Sequence, residues 1–256
     1  MCLKHPCYER LNRIAASKPL RIFYGVILFL FVAFACYRLL QASNDLHAQK
    51  NARLEVIPNF QDNFIKYEVS SGANDIVAKI NDALIQYETP NKNRQRCDNS
   101  FPSQNKSCDV DLNEFGPCTK ENGYGYYRGS PCVFIKLKKL ENWIPQCLNN
   151  SNPLPDDMPI YLKNYISNDH NRNQRAIWLS CSGEKDVDVE YVGKIEYYPS
   201  YGFPIYYFPS KNDESYLEPL IAVEFVKPQR GIAIFIKCKV WAQNLVETTI
   251  IKLSLD

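Results

Sequence analysis

The spacing of polar and apolar positions changes period twice along the chain. Ile22–Tyr37 is an uncharged run of sixteen residues, continued past Arg38 by Leu39 and Leu40. Further on, Ile76, Ile80 and Leu84 recur at i, i+4 and i+8 with Val77 beside them. That spacing predicts an amphipathic helix over Asn74–Tyr87, with Asn74 or Ser71 as N-cap and Pro90 past its end. From Val133 the period falls to two: Val133, Ile135 and Leu137 alternate with Phe134, Lys136 and Lys138. Strands are also predicted over Gly193–Tyr198, Tyr216–Phe225, Gly231–Trp241 and Thr248–Leu255, and a short helix near Met158–Ile166. Within Gly231–Trp241 the residues Ile232, Ile234, Ile236, Cys238 and Val240 share one face. Lys136, Lys138 and Lys139 are expected on the wet side of their strand. Short alternating strands between Gly/Pro turns predict a mainly β fold of the sandwich type.

A spanning helix needs about 20 apolar residues for a hydrocarbon core of about 30 Å. The run from Ile22 reaches that length if Arg38 snorkels to the interface. A cleaved signal peptide is the alternative, with Ala33-Phe34-Ala35 as a small-x-small site. The run exceeds the usual signal core of about 7–15 residues, which favours an anchor. Residues 1–21 carry Lys4, Arg10, Arg13, Lys18 and Arg21 against Glu9 alone, so the N-terminus is expected to stay cytoplasmic. The resulting organisation is a tail at 1–21, a signal-anchor helix at 22–40, a polar stem at 41–66 and an exterior domain at 67–256.

Composition narrows the function classes. Thirty basic residues against twenty-eight acidic ones leave a net charge of +2, and no basic stripe points to nucleic acid. Seventeen Tyr with only ten Gly and two Met favour sheet over helix. Ten Cys occur without a C-x-x-C pair, and His is limited to His5, His47 and His170, so disulfides in an oxidising compartment are favoured over a zinc site. No phosphate-binding Gly-rich loop is present, Asp186-Val-Asp188 makes no closed calcium loop, and His170 in a polar loop assembles no catalytic group. No cofactor, metal or small-molecule substrate is expected.

Several strings are more specific. Gly123-Tyr-Gly-Tyr-Tyr-Arg-Gly-Ser-Pro-Cys132-Val-Phe-Ile-Lys-Leu resembles a signature of the β subunits of Na,K-ATPase and H,K-ATPase. Trp178-Leu-Ser-Cys181, the Tyr/Phe/Pro run from Tyr197 to Pro209, Tyr216-Leu-Glu-Pro-Leu-Ile-Ala-Val-Glu-Phe225 and Ile236-Lys-Cys238-Lys-Val-Trp-Ala look like successive motifs of that family in order. The likeness covers about residues 97–256, and Phe23-Tyr24-Gly25 is similar to a family segment in the membrane helix. The chain departs from the pattern in its short tail and anchor, a contracted first cysteine loop, and Ser210 after Tyr-Phe-Pro.

The resemblance implies a single transmembrane helix followed by an immunoglobulin-like β-sandwich ectodomain with one flanking helix. It implies the pairs Cys97–Cys108, Cys118–Cys132 and Cys181–Cys238, worth about 3, 3 and 4 kcal/mol in the loop-entropy model. Cys147 is left over and is read as a free or buried thiol in a loop, in preference to an intermolecular link. The function implied is that of a non-catalytic β subunit of a P-type cation pump in the plasma membrane, supporting assembly, delivery and ion affinity of an α subunit. Tyr24, Gly25, Tyr201, Phe203, Tyr206, Tyr207, Phe208 and Tyr216 are the expected partner-binding residues, and residues 22–40 would meet the bilayer. The sequons Asn105-Lys-Ser107 and Asn149-Asn-Ser151 are expected to carry glycans, and Asn105 lies close enough to Cys108 for glycosylation to compete with disulfide closure. The rival reading is a pump-independent adhesion glycoprotein on the same fold, and a secreted enzyme comes third. An uncleaved anchor predicts that mass spectrometry of the mature protein finds peptides from before Ile22, whereas an N-terminus at Cys36 would establish signal cleavage.

Overall fold

A computed structural model describes residues 18–51, 54–69, 71–138, 143–148, 153–168, 175–208 and 215–256. Residues 1–17 of the expected tail, Lys139, Asn149 and His170 lie outside them. The chain divides into two units, Met1–His47 and Ala48–Asp256. Helix α1, Lys18–Asn51, contains the long apolar run, and the side chains described in it are exposed from Ile22 to Leu40. Among the described residues no helix is long and apolar enough to cross a membrane. Arg38 closes the uncharged run at sixteen residues, short of the usual span of about 20.

The larger unit is mainly β. One sheet has four strands in the order β1 (Leu54–Ile57), β5 (Cys132–Leu137), β9 (Leu220–Val226) and β7 (Lys194–Tyr198). The other has five: β2 (Phe64–Tyr67), β11 (Leu245–Leu255), β10 (Ala233–Ala242), β6 (Ala176–Gly183) and β8 (Gly202–Pro204). A small parallel pair joins β3 (Arg94–Gln95) to β4 (Ser107–Cys108). Val133, Ile135, Ile221, Val223, Ile234, Ile236 and Leu253 are fully buried in one core shared by both sheets, as a two-layer sandwich requires.

The stretch read as a polar stem over 41–66 contributes to both layers. Its Leu54–Ile57 pairs antiparallel with β5, and Phe64–Ile65 begins the parallel pairing with β11. Each strand is only four residues long, too short to show a period before its partners are known.

Helix α2 is Ala73–Glu88 and buries Ile76, Val77, Ile80, Leu84 and Tyr87. Its N-cap is Gly72, with no side-chain cap; Ser71 donates instead to Glu68 at 2.6 Å. Helix α3 (Ile160–Ser167) falls where the short helix near Met158–Ile166 is expected, whereas α4 (Asp186–Val192) adds a helix beyond those read from the sequence. Helix α4 is held by Asp188, whose carboxylate accepts from the backbone N–H of Lys185 and of Phe235 at 3.2 and 3.0 Å. Helix α3 packs Leu162 and Ile166 with Trp178 and Trp241 in a second core.

β5 departs from the expected wet-and-dry alternation. Phe134 is fully buried, edge-on to Phe115 and Tyr124 with ring centroids 5.6 Å away in each case. Both faces of this strand are therefore covered. Lys136 is not on a wet face: its ammonium lies 2.8 Å from Glu55 and 3.0 Å from Glu218. Burial pushes the Glu55 carboxyl up, but hydrogen bonds and charge from Lys136 and Lys138 outweigh it and hold it below its ordinary value.

Three disulfides link Cys97 to Cys108, Cys118 to Cys132 and Cys181 to Cys238, the pairs the resemblance implies. The last joins directly opposed residues of neighbouring strands, β6 and β10, with Cα atoms 4.0 Å apart. It lies within one sheet, unlike the inter-sheet bridge of antibody domains. Opposed residues this close form a non-hydrogen-bonded pair, so the backbone of Cys181 must find partners on its other side. There β8 pairs only with Ala176–Trp178. The Tyr197 hydroxyl fills the gap, accepting from Cys181 N at 2.7 Å and donating to Cys181 O at 3.3 Å.

Tyr197→Phe should leave two buried backbone groups unpaired and cost about 1–3 kcal/mol. Urea unfolding of the purified protein would measure the loss; an unchanged midpoint would show that the sheets do not depend on this contact.

Candidate functional site

Two surfaces built from the aromatic run are the candidates for recognition. The run does not present all of its rings. Phe203 and Phe208 are buried, at 0% and 3% exposure, and belong to the core rather than to a contact face. Phe203 sits on β8, and Phe208 meets Trp143 edge-on at 5.7 Å. Tyr201, Tyr206, Tyr207 and Tyr216 are half-buried, with the Tyr216 hydroxyl itself buried. Tyr24 and Gly25 lie on the exposed surface of α1.

The first surface is a tyrosine cluster. Tyr201 stacks at a tilt on Tyr165 at 4.6 Å and on Tyr197 at 4.7 Å, and meets Tyr161 at 5.9 Å. The Tyr161 hydroxyl lies 3.2 Å from that of Tyr197. A cleft of about 300 Å³ opens here, lined by Tyr161, Cys181, Val189, Ile195, Tyr197 and Tyr201. Gly202 sets the turn: a Cβ there would lie 2.8 Å from the Trp178 ring, so only glycine lets β8 pair against β6.

The second surface is formed where Tyr206 and Tyr207 stack on each other at 4.9 Å in the 3-10 turn Ile205–Tyr207. Tyr207 donates to the carbonyl of Asp109 at 2.9 Å, one residue past the Cys97–Cys108 disulfide. A cleft of about 170 Å³ is bounded by Phe101, Pro102, Cys108, Tyr206, Tyr207 and Tyr216. Sequence reasoning missed the part played by the first cysteine loop, whose disulfide packs the loop against Tyr206 through Cys108. Cys97 and Cys108 spaced inside a polar segment were the available signal.

The signature turn Gly123–Arg128 is a scaffold. Gly125 has φ +76, and a Cβ there would lie 2.0 Å from the Ser130 carbonyl. Tyr124 reaches Asn81 of α2 at 2.7 Å, and Arg128 pairs with buried Glu224 at 2.7 Å. The turn thus fastens α2 and β9 across β5. Asn105 is exposed at φ 66, and Cys147 is half-buried, with burial pushing its thiol up and Arg175 opposing the shift.

A third cleft of about 490 Å³, lined by Tyr87, Glu88, Arg96, Asp111, Lys120 and Tyr124 among others, has a rim of mixed charge. Among the described residues no histidine lines any of these clefts. Among the described residues no group of three or more His, Cys, Asp or Glu could hold a metal ion.

The profile of the sodium/potassium ATPase beta chain matches residues 20–252. The chain belongs to that family. It is 42% identical over 177 residues to the sodium/potassium-transporting ATPase subunit beta-2 of Drosophila melanogaster, covering 65% of this chain and 55% of the relative. The beta-1 subunit of the same organism is 40% identical over 138 residues, 54% of this chain and 44% of the relative. The human beta-2 subunit is 24% identical over 208 residues, 77% and 63% of the two chains. The chain spans about half the length of the Drosophila relatives it matches.

The buried phenols of this family member make its stability fall in alkali. Burial pushes Tyr124 up to about 12 and raises Tyr67, Tyr87 and Tyr197 further above their ordinary 10.0. Above the ordinary value the unfolded chain holds fewer protons than the folded one, so stability declines as pH rises. Their contribution is fully present below about pH 10 and is lost through about pH 12 for Tyr124, with a slope of about 1.4 kcal/mol per pH unit per phenol. Urea midpoints should drop over that window, and phenolate absorbance of the buried rings should appear together with unfolding; early, separate ionisation would contradict their burial.

Proposed function

We propose that the chain serves as the non-catalytic β subunit of a sodium/potassium pump. The family match over residues 20–252 carries this reading. ATP hydrolysis and ion binding belong to the partner α subunit. The β chain acts by binding: it stabilises an assembly-competent α subunit by mass action, aids its export, and biases pump conformations when its contacts differ between them.

Residues 22–40 are the anchor of this reading, with Arg38 lifting its guanidinium to the interface so that Leu39 and Leu40 complete the span. The basic residues before Ile22 keep the N-terminus cytoplasmic at the plasma membrane, and the exterior domain is of immunoglobulin-like type with glycans at Asn105 and Asn149. Tyr24 and Gly25 would meet α-subunit helices, where a small residue allows close approach. On the exterior domain Tyr201, Tyr206, Tyr207 and Tyr216 are the contact residues, because each is only half-buried and aromatic side chains suit an interface.

Tyr206→Ala is the sharper probe, since Tyr207 is also tied to Asp109 within the fold. Truncating an interface ring commonly costs about 2 kcal/mol or more, roughly thirtyfold in affinity. Co-purification from membranes should therefore lose the α subunit from Tyr206→Ala while its melting curve stays near that of the unmutated protein. Loss of melting temperature without specific loss of partner would make Tyr206 a purely structural ring. If the unmutated protein captured no P-type α subunit, the pump reading itself would be wrong.

A further inference from the structure

The sequon Asn105-Lys106-Ser107 lies inside the loop that the Cys97–Cys108 disulfide closes, and folding treats its two ends oppositely. Asn105 is exposed, on a turn closed by Lys106 N to Ser103 O at 3.0 Å. Ser107 is buried at 8% exposure. Its hydroxyl lies 3.1 Å from that of Ser215, its N–H reaches Asn93 O at 2.9 Å, and it pairs with Arg94 in β3–β4. The next residue, Cys108, is buried at 4% and disulfide-bonded.

A sequon is read through both of its ends, because the Asn amide and the Ser hydroxyl must enter one enzyme site together. The transfer forms a bond from the Asn105 amide nitrogen to C1 of the sugar of a lipid-linked oligosaccharide diphosphate. The C1–O bond breaks, the lipid diphosphate leaves with the electron pair, and a base of the enzyme takes the amide proton. A Ser107 hydroxyl held inside the fold cannot take part. We propose that Asn105 is a glycan acceptor only while the Cys97–Cys108 loop is open, so that disulfide closure gates the modification.

Closure removes two protons and two electrons from the two thiols and passes them to the disulfide of a lumenal oxidoreductase, which becomes a dithiol. The two processes compete in time. Chains emerge at about 5–20 residues per second, so Cys108 follows Cys97 within roughly one or two seconds, and disulfides form in seconds to hours. Gln104 and Lys106, on either side of Asn105, line the cleft shared with Tyr206 and Tyr207. The outcome of the race therefore sets whether a glycan stands at the rim of that aromatic surface. The inference rests on the reading that residues after 40 enter the secretory lumen.

The test is translation of the full chain into microsomes, under dithiothreitol or under oxidised glutathione, with glycans scored by the mass lost to an endoglycosidase. Asn149→Gln leaves Asn105 as the single acceptor, and Asn105→Gln leaves Asn149 as a control. The Asn149→Gln chain should be glycosylated to an extent about twofold or more greater under reduction, given the timescale of closure. Adding Cys97→Ser and Cys108→Ser should abolish that difference, and the Asn105→Gln chain should be insensitive to redox state. Equal occupancy of Asn105 in both conditions would overturn the gate, as would a difference that survives the cysteine substitutions. A glycan at Asn149 with none at Asn105 under reduction would overturn Asn105 as an acceptor. Absence of glycan from both chains would instead refute the lumenal reading.

Discussion

One hydroxyl group connects most of what holds the larger unit together. Tyr197 projects from β7 of the four-stranded sheet and bonds both backbone groups of Cys181 on β6 of the five-stranded sheet. Those groups need a partner because the Cys181–Cys238 pair turns them away from β10 and β8 has already ended. The same phenol lies 3.2 Å from the Tyr161 hydroxyl on α3, and its ring stacks on Tyr201. Two sheets, a helix, a disulfide and a candidate contact surface thus meet at one buried polar atom. A buried hydrogen bond adds only about 1 kcal/mol net, but leaving its partners unmet costs more, so this position admits few substitutes.

Charge plays a comparable part on the other side of the four-stranded sheet. Lys136 is held between Glu55 and Glu218, and Arg128 meets buried Glu224. Each pair ties β5 or β9 to chain from a different region of the sequence. The Lys136 pairs are half-buried, and their worth lies as much in fixing which segments meet as in net stability, since desolvation offsets much of the attraction. They let a layer of helix and turns cover Phe134 without leaving an unpaired charge beneath it.

The aromatic run illustrates how one composition serves two purposes. Tyr197, Phe203 and Phe208 point inward and fill core volume, whereas Tyr201, Tyr206 and Tyr207 keep partly exposed rings at the edges of two clefts. The second cleft exists because the Cys97–Cys108 loop packs against Tyr206. The candidate partner face is therefore assembled from segments about a hundred residues apart, and its shape depends on a disulfide that no ring in the run reveals.

The sequence by itself determined the parts governed by local periodicity and by motif. The amphipathic helix at 73–88 and most strands of the second half were legible from periods of 3.6 and 2, and the three cysteine pairs from the family resemblance. In contrast, β6, buried at its first six positions, and the three-residue β8 carry no such period. Tertiary structure alone decided where short or doubly covered segments belong. Leu54–Ile57 and Phe64–Tyr67 are too short to carry a period, and Phe134 and Lys136 take their environments from what packs over β5. Helix α4 depends on Asp188 reaching the backbone of Phe235, a partner 47 residues away. Which tyrosines of the run face solvent likewise follows from how β7, β8 and the first cysteine loop meet. Burial and pairing are properties of contacts between distant residues, and a one-dimensional pattern records only the preferences each residue brings to them.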